Sequence, residues 1–248
     1  MTFLVFFHGW AGDGRIWQRQ AQAFQGRMEV LTPAMPGWDA GWVENYLGNL
    51  PLKECFLVGW SLGGMMLLEA LACIDAAPAG LLLVAGAASF CKRPDYPLGQ
   101  TPAAVRAMRR ALKTDAPGVV RDFVRRCLAP EEKALEEEVQ TLFGPEPRPE
   151  ALAPGLDYLL DKDLRPVLPR LSLNRVALVQ GEQDEIITVE QAKFLHQHLP
   201  GSRLWNLPGA GHLPFFTQAE EFNRILAGFL REGAGAHGPW PPPSNPPQ

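Results

Sequence analysis

The chain has 248 residues, of which 46% are apolar and 20% charged, so it suits one compact domain with a sizeable core. Its net charge of −4 argues against a nucleic-acid or anionic-membrane partner held by a global basic field. No apolar run approaches the roughly 18 residues that span a bilayer, and the amino terminus lacks the pattern of a signal peptide. We therefore expect a cytoplasmic monomer that binds neither nucleic acid nor membrane.

Six short apolar segments have the length and residue types of buried parallel strands. In chain order they are Phe3–Phe7, Met28–Leu31, Glu54–Gly59, Gly80–Ala85, Arg175–Gln180 and Ser202–Leu207. Helical patterns separate most of them, at Trp17–Phe24, Leu62–Cys73, Val189–His198 and, at the end, Ala219–Arg231. This alternation predicts an α/β fold, with a mostly parallel sheet of about six strands and a site at their carboxyl ends.

The alternation fails between the fourth and fifth strands. Residues 89–169 are charged and helical, and their predicted helices are Arg106–Lys113, Val119–Leu128 and Glu131–Phe143. The segment is too long for a loop and has no strand pattern, so we predict a helical cap inserted into a core of residues 1–88 and 170–232. Residues 233–248 are rich in Gly and Pro and are predicted to be a disordered tail.

The sequence Gly59-Trp60-Ser61-Leu62-Gly63 joins the third strand to a helix. A Gly-x-Ser-x-Gly motif between a strand and a helix is typical of a nucleophile elbow, which exposes the serine hydroxyl on a strained turn. Glycines are needed there because larger residues would clash with the serine. The motif predicts that Ser61 is a catalytic nucleophile.

A serine hydroxyl needs a base, and the base needs a third group to orient it. Of the five histidines, His212 is favoured because it follows the last strand in a glycine-rich loop. For the acid we favour Asp184, just after the fifth strand, over its neighbours Glu182 and Glu185, which are expected to be solvated. The chain order Ser, Asp, His is that of the α/β hydrolases.

Acyl transfer also requires donors for the oxyanion. We predict the backbone N–H of Leu62 and that of Trp10, in the loop that follows the first strand. The side chains of Trp10 and Trp60 are predicted to flank the serine, either as apolar walls that bind an acyl chain or as packing residues. His8 is expected to hold the loop rather than to transfer protons.

Several motifs together resemble one family. They are His8-Gly9-Trp10 with Trp17 downstream, Gly59-Trp60-Ser61-Leu62-Gly63-Gly64, Asp161-Lys162-Asp163-Leu164-Arg165 and Ala210-Gly211-His212-Leu213-Pro214-Phe215. The chain resembles the pimeloyl-ACP methyl ester esterases of biotin synthesis, which have an α/β-hydrolase fold. The resemblance implies hydrolysis of the terminal methyl ester of pimeloyl-ACP, with release of methanol and the thioester to ACP left intact. Because the chain starts at the strand that leads to His8, we expect the sheet to lack the two N-terminal antiparallel strands typical of this fold.

The same resemblance implies acyl carrier protein as partner, held by arginines of the cap. Arg121 and Arg125 lie four residues apart in the matching helix. The next segment, Glu131–Glu138, is acidic where the family tends to have more arginines, and it would repel ACP unless it faces away.

We therefore expect a serine carboxylesterase that uses no metal or organic cofactor. The alternatives are a general short-chain esterase, a thioesterase or a triad-bearing lyase of the same fold. A non-catalytic binding module is disfavoured because all three triad positions are filled.

Overall fold

The computed structural model describes residues 2–144 and 147–231. Within these ranges the strands form a six-stranded sheet in which every pairing is parallel. The strands are β1 (Phe3–Phe7), β2 (Glu29–Leu31), β3 (Cys55–Trp60), β4 (Gly80–Val84), β5 (Val176–Gly181) and β6 (Arg203–Leu207). The predicted fold class and all six predicted strands are confirmed, with small differences at the strand ends.

The strand order, β2-β1-β3-β4-β5-β6, reverses between β1 and β3. In an open parallel sheet this switch point opens a crevice at the carboxyl ends of the two strands. Every residue of β3 and β4 is buried, which explains why these strands are continuous apolar runs without alternation. The loops that follow β1 and β3, which carry His8 and Ser61, therefore meet at the crevice.

The described helices include two that sequence patterns predicted with correct bounds. These are α7 (Val189–His198) and α9 (Ala219–Arg231), and the others are α1 (Gln18–Phe24), α2 (Ala40–Gly48), α3 (Leu62–Leu71), α4 (Pro102–Cys127), α5 (Glu136–Gln140), α6 (Pro149–Asp161) and α8 (Pro214–Thr217). Helix α9 is amphipathic and buries Phe222, Ile225, Leu226 and Phe229, a spacing that places all four on one face. None of the helices within the described ranges is both long and apolar enough to cross a membrane.

Helix α4 covers two helices that were predicted separately. Its two arms meet at a kink at Asp115, whose φ of −151° and ψ of 72° are not helical. Pro117 cannot donate a backbone hydrogen bond, which weakens the helix at this point. The Asp115 carboxylate accepts the N–H of Gly118 at 2.8 Å and so caps the second arm.

The predicted single helix Glu131–Phe143 is wrong. A 3-10 helix at Pro130–Leu135, the short α5 and a second 3-10 turn at Thr141–Phe143 take its place. Sequence analysis also missed α2 and α6, and Pro154 inside α6 interrupts the helical signal there. The division into core and cap stays a prediction, and the predicted tail at 233–248 lies outside the described residues.

Candidate active site

Ser61 lies on the turn between β3 and α3. Its backbone has φ 53° and ψ −120°, a conformation that is costly for a residue with a side chain. The flanking glycines allow the turn, since a Cβ atom on Gly59 would lie 2.6 Å from the Cα of Gly64. On Gly63 the added atom would lie 2.3 Å from the carbonyl oxygen of His8. The strained serine and its glycines have the geometry expected of a nucleophile elbow.

His212 lies between Ser61 and Asp184. Its Nε2 is 3.0 Å from the Ser61 Oγ, and its Nδ1 is 2.7 Å from an Asp184 carboxylate oxygen. The imidazole is fully buried, and Ser61 and Asp184 are each only 7% exposed. Three residues far apart in the sequence thus form a continuous hydrogen-bonded chain shielded from solvent, in which His212 can accept the serine proton.

The carboxylate of Asp184 is fixed by further hydrogen bonds. Its Oδ1 accepts the backbone N–H groups of Ile186 at 2.8 Å and Ile187 at 3.0 Å. Its Oδ2, which faces His212, also accepts a hydrogen bond from Gln180 Nε2 at 3.1 Å. The competing acids Glu182 and Glu185 are exposed, so Asp184 is the acid that the structure brings to the histidine.

The loop after β1 packs against the serine turn. The Gly12 N–H donates to the Gly9 carbonyl at 3.2 Å, and Ala11 has a φ of 60°, so the chain turns sharply here. His8 Nδ1 is 3.1 Å from the Gly9 carbonyl, and burial lowers the pKa of His8 below its usual value. Leu62 is the first residue of α3, so its N–H has no acceptor within the helix.

The two tryptophans next to these loops have different surroundings. Trp10 lines a small cavity at Ser61, and its indole N–H donates to the Leu152 carbonyl at 2.9 Å. Trp60 does not line that cavity, and its indole N–H donates to the His212 carbonyl at 2.9 Å. Trp60 therefore packs beneath the histidine, and Trp10 forms a wall beside the serine.

The cavity at Ser61, here called the Ser61 chamber, has a volume of about 30 Å³. Its walls are mainly apolar and include Trp10, Phe90, Met108, Phe123, Leu156 and Ile186. A larger groove of about 310 Å³ lies beside it, between the two arms of α4, and is called the α4 groove. The chamber and the groove share four lining residues, which are Phe90, Met108, Phe123 and Arg126. The groove and the chamber therefore adjoin each other.

The chain is similar to known proteins over most of its length. The sequence profile described as "Alpha/beta hydrolase family" matches residues 4–225. The chain belongs to this family. The pimeloyl-[acyl-carrier protein] methyl ester esterase of Methylococcus capsulatus is 31% identical to it, over 92% of this chain and 94% of the relative. The esterase of the same name from Chromobacterium violaceum is 29% identical, over 93% and 95%. These relatives confirm the resemblance predicted from the motifs.

Solved structures show the same fold. The esterase EaEST from Exiguobacterium antarcticum aligns with a TM-score of 0.82 and 24% identity, over 93% of this chain and 92% of the other. A bromoperoxidase from Bacillus anthracis aligns with a TM-score of 0.81 and 19% identity, over 93% and 92%. At these identities the alignments report the fold of this α/β hydrolase and not its substrate.

The arginines of α4 differ in their surroundings. Arg125 is paired with Glu136, at 2.8 Å, and approaches Asp122 at 3.5 Å. Arg121 is exposed and makes no ion pair with any described residue. In the acidic segment, Glu138 pairs with Arg19 at 2.8 Å, and Glu132 is buried.

Some residues around the site escaped sequence analysis of this α/β hydrolase. Gln180 is a buried polar residue at the end of an apolar strand, a signal that could have drawn attention to it. Cys127 contributes its backbone carbonyl, which accepts the His212 N–H at 2.7 Å, and burial raises the pKa of its thiol well above the usual value. Nothing in the sequence distinguishes Glu132 from the acidic residues around it.

In residues 2–144 and 147–231, no group of three or more His, Cys, Asp or Glu side chains is placed to hold a metal ion.

Proposed function

We propose that this α/β hydrolase is a serine carboxylesterase that hydrolyses the methyl ester of pimeloyl-ACP, giving pimeloyl-ACP and methanol in biotin synthesis. The observation that carries the chemistry is the buried chain of hydrogen bonds from Ser61 through His212 to Asp184. The substrate is supported by relatives that align over more than nine-tenths of the chain and are named pimeloyl-[acyl-carrier protein] methyl ester esterase. We also propose that the reaction takes place in the cytoplasm.

In the first half-reaction, the Ser61 Oγ attacks the ester carbonyl carbon while His212 Nε2 takes the hydroxyl proton. Asp184 accepts the Nδ1–H of the ring, which keeps the tautomer with a free Nε2 and stabilises the imidazolium that forms. The backbone N–H groups of Leu62 and Trp10 stabilise the negative oxygen of the tetrahedral intermediate. The bond from carbonyl carbon to methoxy oxygen then breaks, and methanol leaves with the proton from His212.

In the second half-reaction, water hydrolyses the acyl-enzyme. His212 takes a proton from the water as the water oxygen attacks the acyl carbon. The backbone N–H groups of Leu62 and Trp10 again stabilise the tetrahedral intermediate. The bond to the Ser61 Oγ breaks, and His212 returns its proton to that oxygen. The product is pimeloyl-ACP with a free terminal carboxylic acid, which then loses its remaining proton to the solvent.

The shape of the site supports an ester at the end of a long acyl chain. At about 30 Å³, the Ser61 chamber has room for a small group such as the ester head but not for the methylene chain. The α4 groove, at about 310 Å³, is within the usual size of a ligand pocket and has mainly apolar walls. We assign the methylene chain to this groove, with Trp10 as a wall beside the ester and Trp60 as support for His212.

We assign ACP as the partner and propose that arginines of the helical cap bind its negatively charged surface. Both Arg121 and Arg125 were predicted to make this contact from the sequence. Arg125 already faces Glu136 and Asp122, so we assign the larger share of the contact to Arg121. Steering by such exposed charges acts mainly on the rate of association and on orientation.

The test is methanol release from pimeloyl-ACP methyl ester, measured for the wild type and for Ser61→Ala. Dimethyl pimelate is assayed in parallel as a free ester without a carrier. We expect release from the carrier-bound ester by the wild type and its loss in Ser61→Ala. Hydrolysis of the free ester with no turnover of the ACP ester would retain the serine chemistry and refute the biotin assignment, in favour of a general esterase.

A further inference from the structure

Glu132 connects the segment that follows α4 to the loop that carries His212. One carboxylate oxygen, Oε2, accepts the backbone N–H of Ala129 at 2.9 Å and that of Gly211 at 3.0 Å. Ala129 lies two residues after the end of α4, and Gly211 immediately precedes His212. A single buried oxygen thus links two parts of the chain that are 82 residues apart in sequence.

The backbone of His212 is held by contacts on both sides of this link. Its N–H donates to the Cys127 carbonyl at 2.7 Å, and its carbonyl accepts the indole N–H of Trp60 at 2.9 Å. The loop and the insertion pack so closely that a Cβ atom on Gly211 would lie 2.4 Å from the Cys127 carbonyl oxygen. The position of the imidazole therefore depends on how the end of α4 is placed.

Helix capping explains only one of the two hydrogen bonds, because Ala129 is the N-cap of the 3-10 helix Pro130–Leu135 whereas Gly211 belongs to the histidine loop. Glu132 is 7% exposed, and its second oxygen, Oε1, is buried without a hydrogen-bond partner among the residues that the structure describes. A buried charge that leaves an acceptor unsatisfied is costly. The two N–H groups that Oε2 accepts would in turn be left unsatisfied without it. Whatever its net effect on stability, the carboxylate fixes the distance between two backbone segments.

We propose that Glu132 is a positioning residue for the base: by holding the amides of Ala129 and Gly211 on one oxygen, it keeps His212 within reach of the Ser61 hydroxyl. Glu132 acts through the backbone and does not contact the reacting atoms. The inference rests on the proposed function, because it requires His212 to be the base that activates Ser61. It goes beyond that function by making the insertion part of the apparatus that positions the histidine.

Two substitutions separate the length of the side chain from its charge. Glu132→Asp keeps the charge but is one methylene shorter, so its carboxylate cannot reach both amides. Glu132→Gln removes the charge but keeps an acceptor oxygen at the same distance from the backbone. Glu131→Asp is the matched control, since Glu131 is the exposed neighbour in the same segment.

The measurement is the rate at which a fluorophosphonate labels Ser61, together with kcat and KM for dimethyl pimelate, all per folded enzyme. We expect Glu132→Asp to lower the labelling rate and kcat roughly 10-fold or more, since a misplacement of about 1 Å can cost about 10²-fold. KM should not change, because Glu132 does not line the α4 groove. Glu132→Gln and Glu131→Asp should remain within about threefold of the wild type on the same reasoning.

The inference is overturned if folded Glu132→Asp labels as fast as the wild type, which would leave Glu132 a structural residue only. It is also overturned if Glu132→Gln is as slow as Glu132→Asp, since charge rather than reach would then matter. Failure of the proposed serine chemistry gives a different result, because the wild type itself would then not be labelled at Ser61. Failure of the biotin assignment alone would appear only as a lack of turnover of the ACP ester.

Discussion

The carbonyl oxygen of His8 occupies the space that a side chain on Gly63 would need. His8 follows β1 and Gly63 lies in the first turn of α3, and a Cβ atom on Gly63 would lie 2.3 Å from that oxygen. The same atom would lie 2.8 Å from the carbonyl oxygen of Phe7. The serine turn and the loop with Trp10 thus meet through backbone atoms, which cannot rotate away as a side chain could.

Gly63→Ala is expected to force these two loops apart. Overpacking of this kind costs about 1–3 kcal/mol, so the free energy of unfolding should fall by that amount, and kcat should fall as the oxyanion donors move. Gly48→Ala is the matched control, because Gly48 ends α2 and has open space around it. Denaturant unfolding and ester hydrolysis measure the two effects. A Gly63→Ala enzyme with wild-type stability and activity would contradict the close approach.

Asp184→Asn should abolish most of the activity while keeping the fold. An asparagine can still accept the N–H groups of Ile186 and Ile187, but its amide then presents a donor to His212 Nδ1 and favours the wrong ring tautomer. We expect kcat to fall about 10²–10⁴-fold. Glu182→Gln changes an exposed acid of the same loop and should leave kcat unaltered. A comparable loss in Glu182→Gln would argue for a different acid.

Arg121→Glu and Arg125→Glu should differ in their effect on the carrier-bound ester. Since Arg125 is already paired with Glu136 and Asp122, its reversal should matter less than that of Arg121. A contact worth about 1 kcal/mol corresponds to roughly a fivefold rise in KM for Arg121→Glu. The assay is methanol release from pimeloyl-ACP methyl ester, with dimethyl pimelate as the carrier-free reference. Arg224→Glu on α9, where Arg224 pairs with Glu221, controls for the change in net charge. Equal effects of Arg121→Glu and Arg125→Glu would mean that these ion pairs do not occupy Arg125.

His8 should make the stability of the protein depend on pH. Burial lowers the pKa of His8 in the folded protein below its unfolded value of about 6.5, so the unfolded chain binds more protons in mild acid. The contribution of His8 to the free energy of unfolding is therefore complete above about pH 6.5. It is lost as the pH falls below that value, at up to about 1.4 kcal/mol per pH unit. When urea unfolding is measured from pH 7 to 5, the free energy of unfolding should change less steeply with pH for His8→Gln than for the wild type. An unchanged slope in His8→Gln would exclude His8 as the source.

Local patterns were sufficient to predict the sheet and the elbow. Buried parallel strands are continuous apolar runs, so β3 and β4 could be recognised without knowledge of their neighbours. The glycines around Ser61 report a backbone requirement that holds wherever the motif stands between a strand and a helix. The position of His212 after the last strand followed from the order of the chain, because the ends of parallel strands meet at one edge.

Contacts between distant segments could not be predicted in this way. The separate roles of Trp10 and Trp60 depend on which backbone carbonyl each indole reaches, Leu152 in one case and His212 in the other. The pairing of Arg125 with Glu136 likewise depends on how the segment after α4 folds back.

The sequence by itself determined the fold class, the family and the residues Ser61, Asp184 and His212, because each is marked by a local pattern and by its place in the order of strands. Only the tertiary structure decided how these residues are held. In the sequence, the buried carboxylate Glu132 cannot be distinguished from its exposed neighbour Glu131, because both are glutamates in the same acidic segment. The two differ only in the residues that surround them in the folded chain. Burial and hydrogen bonding are properties of the packed chain, since they depend on residues that are distant in sequence and adjacent in space.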